Sequence, residues 1–241
     1  MPVEPTGVMA MGPTRIRYSP ELEEAVVEQA FGQPFSATKP PGERTMPTTS
    51  QPLAAPDPQS EERGTVSRGT HASVFQQTIY DAVREAVAVL ADRFAEVVVS
   101  RAWAASEEGA EVSENQSTLG LKILPMRFAD PLGLQRFLRH EFGHVTDILD
   151  VTFGYGTEAL DDLAATRALR KRSRLLWCCS IDGRIASAGA APLHTQEDYE
   201  AEFVRLFPGL PSVLAETTVG ALWNGERPPY SSLMRMAAEL V

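Results

Sequence analysis

The most regular pattern of apolar and polar residues in the chain begins just after residue 130. Asp130 is a favourable N-cap, and Pro131 is a favourable first residue of a helix. Apolar side chains then recur at helical spacing, at Leu134, Leu138, Val145 and Ile148. The pattern therefore predicts an amphipathic helix over residues 131–149.

Four further helices are predicted downstream of this one. A long helix covers about 158–180 and ends at Gly183, and two short helices cover 212–223 and 231–240. Another helix starts after Thr195, where Asp198 completes a variant capping box, and it ends before Pro208.

Upstream, the pattern predicts a helix over 74–94 and then two strands. The strands cover 96–103, which is rich in Val and Ala, and 118–126, where polarity alternates. They are predicted to form a hairpin or part of a small sheet across a polar connection over 107–115, and Pro125 favours an edge position for the second strand. These elements predict an α+β protein, mainly helical, with a small sheet beside the helix over 131–149.

The first seventy residues differ in composition from the rest of the chain. Eleven of the eighteen prolines lie before position 60, among Thr, Ser, Gln and Gly. Such a segment buries too little apolar surface to offset its ordering entropy. We therefore expect residues 1–69 to be a largely disordered arm, with one helical segment over 18–31, and residues 70–241 to be the folded domain.

Charge and hydropathy narrow the classes of partner. The net charge is −10, and the only basic run, 167–174, falls in a helical pattern, so nucleic acid is not an expected partner. No run approaches the ~20 apolar residues of a membrane-spanning helix, and the chain does not begin with a signal-peptide pattern.

The adjacent Cys178 and Cys179 are expected to be reduced and packed as small apolar residues, which is consistent with a location in the cytoplasm. A zinc role for this pair is the weaker alternative, because no second Cys or His pair lies near it in the sequence.

The clearest candidates for metal binding and catalysis lie in the helix over 131–149, in the motif His140-Glu141-Phe142-Gly143-His144. Residues four apart are separated by only ~40° around a helix, so His140 and His144 share one face and can bind one tetrahedral metal ion. Glu141 falls inside the apolar stripe, where a carboxylate is costly unless something pairs with it. A zinc ion with Glu141 as the base for its water explains that placement.

A third protein ligand is needed to complete such a site. The candidates are Asp147, Asp150, His194, Asp198 and Glu202. Asp147 lies one turn beyond the histidines and is better placed to pair with His144 than to reach the metal. Asp150 has no glycine hinge before it, whereas Glu202 lies on a separate helix at the border of an apolar stripe.

The motif, with Asp147 and the distant string Glu200-Ala201-Glu202-Phe203, resembles the catalytic domain of anthrax lethal factor and its relatives, which are gluzincins. The string over 138–155 is also similar to a group of uncharacterised bacterial proteins with HExxH helices. The gluzincin resemblance implies a zinc metallopeptidase in which the glutamate before the phenylalanine, here Glu202, is the third ligand.

A hydrolase also needs a donor for the oxyanion of its transition state. Tyr155 is the predicted donor, with Tyr199, Tyr230 and Arg184 as alternatives. The predicted function is thus zinc-dependent hydrolysis of a peptide or protein substrate, with Glu141 as the base. Two alternatives stay open: an interaction protein that keeps the fold without catalysis, and a metal site that only joins helices.

Overall fold

The computed structural model describes residues 7–11, 14–31, 90, 93–156, 167–225 and 227–240. Its strands are β1 (Gly7–Met11), β2 (Thr14–Tyr18), β3 (Glu96–Arg101), β4 (Gly109–Val112) and β5 (Thr118–Ile123). Its helices are α1 (Pro20–Phe31), α2 (Pro131–Leu149), α3 (Arg167–Ser187), α4 (Gln196–Leu206), α5 (Ser212–Asn224) and α6 (Tyr230–Glu239). The helix predicted over 74–94 lies almost entirely outside the described residues.

The strands form one five-stranded mixed sheet in the order β1-β2-β3-β5-β4. The three central strands β2, β3 and β5 are parallel, and β1 and β4 pair antiparallel at the two edges. With the helices, this confirms the predicted α+β class, mainly helical, with a small sheet.

Of the two arrangements predicted for 96–103 and 118–126, the small sheet is confirmed and the hairpin is wrong, because β3 and β5 are parallel neighbours in one sheet. The true hairpin joins β4 to β5, and β4 lies inside the stretch that was predicted to be a polar connection. Pro125 begins a short 3-10 helix after β5 has ended, so it does not place that strand at an edge. The edge strand β4 was missed because its residues are only half-buried or exposed and show no apolar alternation.

The described part of the N-terminal segment belongs to the fold, which corrects the expected arm over 1–69. Strand β2 pairs with β3 along the sheet, and α1 follows it from Pro20, as the sequence predicted. Ile16, Tyr18 and Leu22 are buried in the same core as β3 and β5. Residues 32–69 lie outside the described structure.

Helix α2 lies between two apolar cores, and the motif over 140–144 is part of this helix. Phe137, Leu138 and Val145 pack into the core formed with the sheet, whereas Ile148 packs against the core of α3 to α6. The N-cap is as predicted, since the Asp130 side chain accepts a hydrogen bond from the Gly133 N–H. His140, Glu141, Phe142 and His144 are therefore buried at the seam between the sheet and the helices.

Two glycines allow the helices around α3 to approach closely. A Cβ on Gly143 would lie 2.5 Å from Cγ2 of Ile181, so glycine permits the contact between α2 and α3. A Cβ on Gly183 would lie 2.2 Å from the carbonyl oxygen of Trp223, so this glycine serves packing against α5. It does not end α3, which continues to Ser187 and corrects the predicted end.

The remaining helices agree with the sequence. Helix α4 begins with a capping box in which the Thr195 side chain accepts from the Asp198 N–H and Asp198 accepts from the Thr195 N–H. Helices α5 and α6 lie within one residue of the predicted bounds. Within the described ranges, no helix combines the length and the apolar character needed to cross a membrane.

Candidate metal centre

Three side chains from α2 and α3 bring ligand atoms together, and they can hold a metal ion. His140, His144 and Cys178 each offer one ligand atom, and these atoms lie within 4.8 Å of one another. The Sγ of Cys178 is 3.4 Å from Nε2 of His144, and the two imidazole rings are 5.0 Å apart and nearly perpendicular. Both histidines are buried, and Cys178 is partly exposed, so the cluster opens towards solvent on its α3 side.

Asp182 fixes the orientation of His140. Its Oδ1 lies 2.8 Å from Nδ1 of His140, and Asp182 is fully buried. It also accepts hydrogen bonds from the N–H groups of Leu193 and His194 and, at 2.6 Å, from the Tyr199 hydroxyl. With Nδ1 donating to this carboxylate, Nε2 of His140 is left for a metal ion, which is the usual arrangement of a ligating histidine.

Asp147 supports the other histidine indirectly. Its Oδ2 accepts from Nε1 of Trp177 at 2.7 Å and from Arg184 at 2.6 Å, and its Oδ1 accepts from Arg227 at 3.2 Å. Trp177 in turn packs its ring edge-on against His144, with centroids 4.4 Å apart. The predicted pairing of Asp147 with His144 is thus corrected. Asp147 accepts a hydrogen bond from Trp177, and the Trp177 ring packs against the imidazole of His144.

Glu141 is buried beside the cluster and is tied to the edge strand. Its Oε2 accepts a hydrogen bond from the Ala110 N–H in β4 at 3.0 Å, and only 5% of the residue is exposed. Burial raises the pKa of Glu141, although the charge on His140 and the Ala110 N–H oppose this. A carboxylate that takes up a proton readily and has one oxygen anchored is suited to act as a general base.

Glu202, the third ligand implied by the resemblance, is not among the ligand atoms that converge on the two histidines, and Cys178 takes that place. The Glu202 carboxylate is bound by the guanidinium of Arg205, one turn later in α4. This hydrogen bond lowers the pKa of Glu202 and holds the side chain at the surface.

The other sequence candidates for the third ligand also have partners elsewhere. Asp150 accepts from Thr152 and Arg227, and these contacts lower its pKa to about 2. Asp198 caps α4, and the His194 ring packs against the ring of Tyr199, with centroids 5.8 Å apart, and is not among the converging ligand atoms. Cys178 was set aside because no second cysteine or histidine pair lies near it in the sequence. The sequence contains one sign that Cys178 belongs to the cluster: Cys178 and Asp182 are four residues apart, so both lie on one face of α3.

Two cavities meet at Glu141. The first, of about 540 Å³, is lined by Glu141 and His144 together with Tyr155, Trp177 and Tyr230, and we call it the aromatic cavity. The second, of about 570 Å³, is lined by His140, Glu141 and Cys178 together with Lys171, Arg174 and Arg205, and we call it the basic cavity. The cluster therefore faces space large enough for a substrate on both sides of the carboxylate.

The predicted oxyanion donors divide into two groups. Tyr155, which is 47% exposed, lies 5.0 Å from the ring of Tyr230 in the wall of the aromatic cavity. By contrast, Tyr199, although it lines the basic cavity, donates its hydroxyl proton to Asp182, and Arg184 donates to Asp147, so these donors are already engaged. Sequence reasoning did not single out Arg174, which lines both cavities.

The two histidines of the metal-free cluster differ in protonation. Burial disfavours a charge on His140, but the interactions of its ring with Asp182 and Cys178 together outweigh burial and raise the pKa of His140 to about 10. Burial, followed by the charge on His140, holds the pKa of His144 well below its usual value. At neutral pH the cluster thus carries one imidazolium and one neutral imidazole.

Metal binding is expected to release protons and to strengthen as the pH rises. The imidazolium of His140 must become neutral and the Cys178 thiol must become a thiolate before they bind a metal ion. We expect the affinity to rise about tenfold per pH unit for each displaced proton near neutrality. Calorimetric titration in two buffers of different ionisation enthalpy counts the protons, and binding without proton release would contradict this charge assignment.

No family model, characterised protein or solved structure matches this chain. The geometry of the cluster and the cavities is therefore the basis for assigning a function.

Proposed function

We propose that this protein is a zinc-dependent metallopeptidase-like hydrolase in which His140, His144 and Cys178 hold the metal ion and Glu141 is the general base. One observation carries the proposal: three ligand atoms converge beside a buried carboxylate, at the meeting point of two cavities. Three protein ligands leave one position of a tetrahedral zinc ion for water, which is the arrangement of catalytic rather than structural sites.

The donor atoms favour zinc. Two imidazoles and a thiolate form a nitrogen and sulfur set of the kind that zinc prefers, and hard cations such as magnesium prefer oxygen. The hydrogen bond from His140 to Asp182 and the packing of Trp177 on His144 hold both rings in place without a metal ion. The site therefore needs little reorganisation on binding.

A bound zinc ion would acidify a water molecule and polarise the substrate carbonyl. Glu141 accepts the proton from the attacking water, and its raised pKa lets it pass that proton to the leaving amine. The Ala110 N–H keeps Oε2 of Glu141 in place, so Oε1 is the oxygen that exchanges the proton. Tyr155, in the wall of the aromatic cavity, is the proposed donor to the oxyanion.

Replacing Glu141 by glutamine is expected to retain the metal ion and to abolish hydrolysis. The amide has almost the same shape but cannot accept the proton, and general-base catalysis contributes about 10²–10⁴ in rate. We expect kcat/KM to fall by at least about 100-fold. Digestion of a peptide library followed by mass spectrometry measures activity, and elemental analysis measures zinc.

Glu111→Gln is the matched control, because Glu111 is exposed in the wall of the aromatic cavity and the substitution removes the same charge. The control should keep both zinc and activity. Equal activity of wild type and Glu141→Gln would remove Glu141 from the mechanism. A zinc-loaded wild type that cleaves no peptide in the library would support the alternative of an interaction protein without catalysis.

A further inference from the structure

One face of α3 carries two cations in line with the metal cluster. Lys171 and Arg174 precede Cys178 by seven and four residues, so all three project from the same side of the helix. At ~1.5 Å of rise per residue, the two cations start roughly 10 Å and 6 Å along the helix axis from Cys178. Both line the basic cavity, and Arg174 also lines the aromatic cavity.

The other charges of the basic cavity are already satisfied. Glu108 binds the guanidinium of Arg127, with contacts of 2.6 and 2.8 Å, and Glu202 binds Arg205. Asp198 accepts hydrogen bonds from Thr195 at the start of α4. Every acidic side chain in this wall except the proposed base Glu141 therefore has a partner that is not Lys171 or Arg174.

The side chains of Lys171 and Arg174 make no hydrogen bond and no ion pair with any residue that the structure describes. Both side chains are exposed, so they are accessible to a ligand in the basic cavity. Arg174 and Glu141 line both cavities, so the Arg174 charge lies in the same space as the proposed base. Two cations without a direct ion pair therefore line the basic cavity beside the cluster and are available to bind an anion.

We propose that the basic cavity binds a carboxylate of the substrate, held by Arg174 and Lys171, so that the protein acts on peptides with an acidic group close to the bond that is cleaved. The proposal rests on the proposed hydrolase function. A guanidinium matches a carboxylate with two parallel hydrogen bonds, and the lysine adds a flexible charge. The axial distances of the two cations correspond to about two or three residues of extended peptide, at ~3.3 Å each.

A carboxylate of this kind has two sources in a peptide: the side chain of Asp or Glu, or the free C-terminus. Both present the same two oxygens to the cations. The peptide set therefore contains four members of one sequence, with Glu or Gln at the tested position and with a free or an amidated C-terminus. A preference for Glu identifies the side chain, and a preference for the free acid identifies the terminus.

Binding is measured first, on zinc-loaded Glu141→Gln protein by calorimetry, so that the readout does not depend on turnover. We expect the peptide with the recognised carboxylate to bind on the order of tenfold more tightly than its neutral counterpart. Equal binding of charged and neutral peptides would overturn the proposal. Cleavage of the same peptides by wild type then gives the ratio of kcat/KM values.

The cations are tested by Lys171→Gln and Arg174→Gln, which should each reduce the preference for the carboxylate. Lys122→Gln is the matched control, because this lysine lines only the aromatic cavity and should leave the preference unchanged. A fifth peptide of the same sequence, with Lys at the tested position, should bind Lys171→Glu more tightly than it binds the wild type. Retention of the full preference by both glutamine variants would overturn the assignment to these residues.

The outcomes separate this inference from the proposed function. Cleavage of charged and neutral peptides at equal rates would overturn the carboxylate site and leave the hydrolase intact. Preferential binding of the acidic peptide without cleavage of any peptide would support the site and contradict hydrolysis.

Discussion

Replacing Cys178 by alanine is expected to lower the affinity for zinc by more than about 100-fold. Loss of a residue that only orients a ligand costs about 10–100-fold, and loss of a ligand itself costs more. Cys178 supplies the only sulfur and the only negative charge of the cluster, so the two remaining imidazoles would hold zinc weakly. The measurement is competition for zinc against a chelator of known affinity.

Cobalt(II) provides a second readout, because a thiolate ligand gives cobalt a charge-transfer absorption in the near ultraviolet that nitrogen and oxygen ligands do not give. We expect this band in the wild type and not in Cys178→Ala or Cys178→Ser. Cys179→Ala is the adjacent control, because Cys179 is buried against the carbonyl of Val219 and burial raises its pKa to about 12. It should keep the metal ion and the band.

Glu202→Gln tests the ligand implied by the gluzincin resemblance. Because Glu202 pairs with Arg205 at the surface, this variant should bind zinc like the wild type. Loss of zinc from Glu202→Gln together with full retention by Cys178→Ala would reverse the assignment of the third ligand.

Replacing Asp182 by asparagine is expected to have the largest effect on stability. The carboxylate is fully buried and accepts hydrogen bonds from the His140 ring, two backbone N–H groups and the Tyr199 hydroxyl. An amide would point its NH2 group at one or more of these donors and leave them unpaired. Breaking a buried charged pair costs about 3–5 kcal/mol, and we expect a loss of free energy of unfolding in that range. Zinc affinity should also fall about 10–100-fold.

Denaturant unfolding of the metal-free protein measures this change. Asp198→Asn is the control, since Asp198 is an exposed capping residue and asparagine also caps helices, so the expected change is below about 1 kcal/mol. A loss below about 1 kcal/mol in Asp182→Asn as well would show that Asp182 does not hold the cluster.

The same pair predicts how stability depends on pH. Burial disfavours the Asp182 charge, but the hydrogen bond and charge of His140, together with the hydrogen bonds from Tyr199 and the His194 N–H, outweigh it and lower the pKa of Asp182. The contribution of Asp182 is therefore present above the usual Asp pKa and is lost in acid. The pKa of His140 is raised from 6.5 to about 10, so its contribution is full below 6.5 and is lost as the pH rises through about 10. Asp182→Asn should flatten both limbs of the profile.

Local sequence patterns determined most of the helices and the first half of the metal cluster. Asp130 and Pro131 define the start of α2 because capping depends on neighbouring residues alone. His140 and His144 were predictable as a metal-binding pair because helix geometry places residues four apart on one face. Burial of Glu141 also followed from its place in the apolar stripe.

Tertiary structure decided the partners of these residues, because the contacts join segments that are distant in sequence. Cys178 reaches His144 only because α3 packs on α2, where Gly143 leaves room for Ile181. Glu202 lay on the expected helix, but local pairing with Arg205 satisfies its charge. A motif within one helix is set by local geometry, whereas the third ligand and the carboxylates that orient the ligands depend on helix packing, which no local pattern specifies.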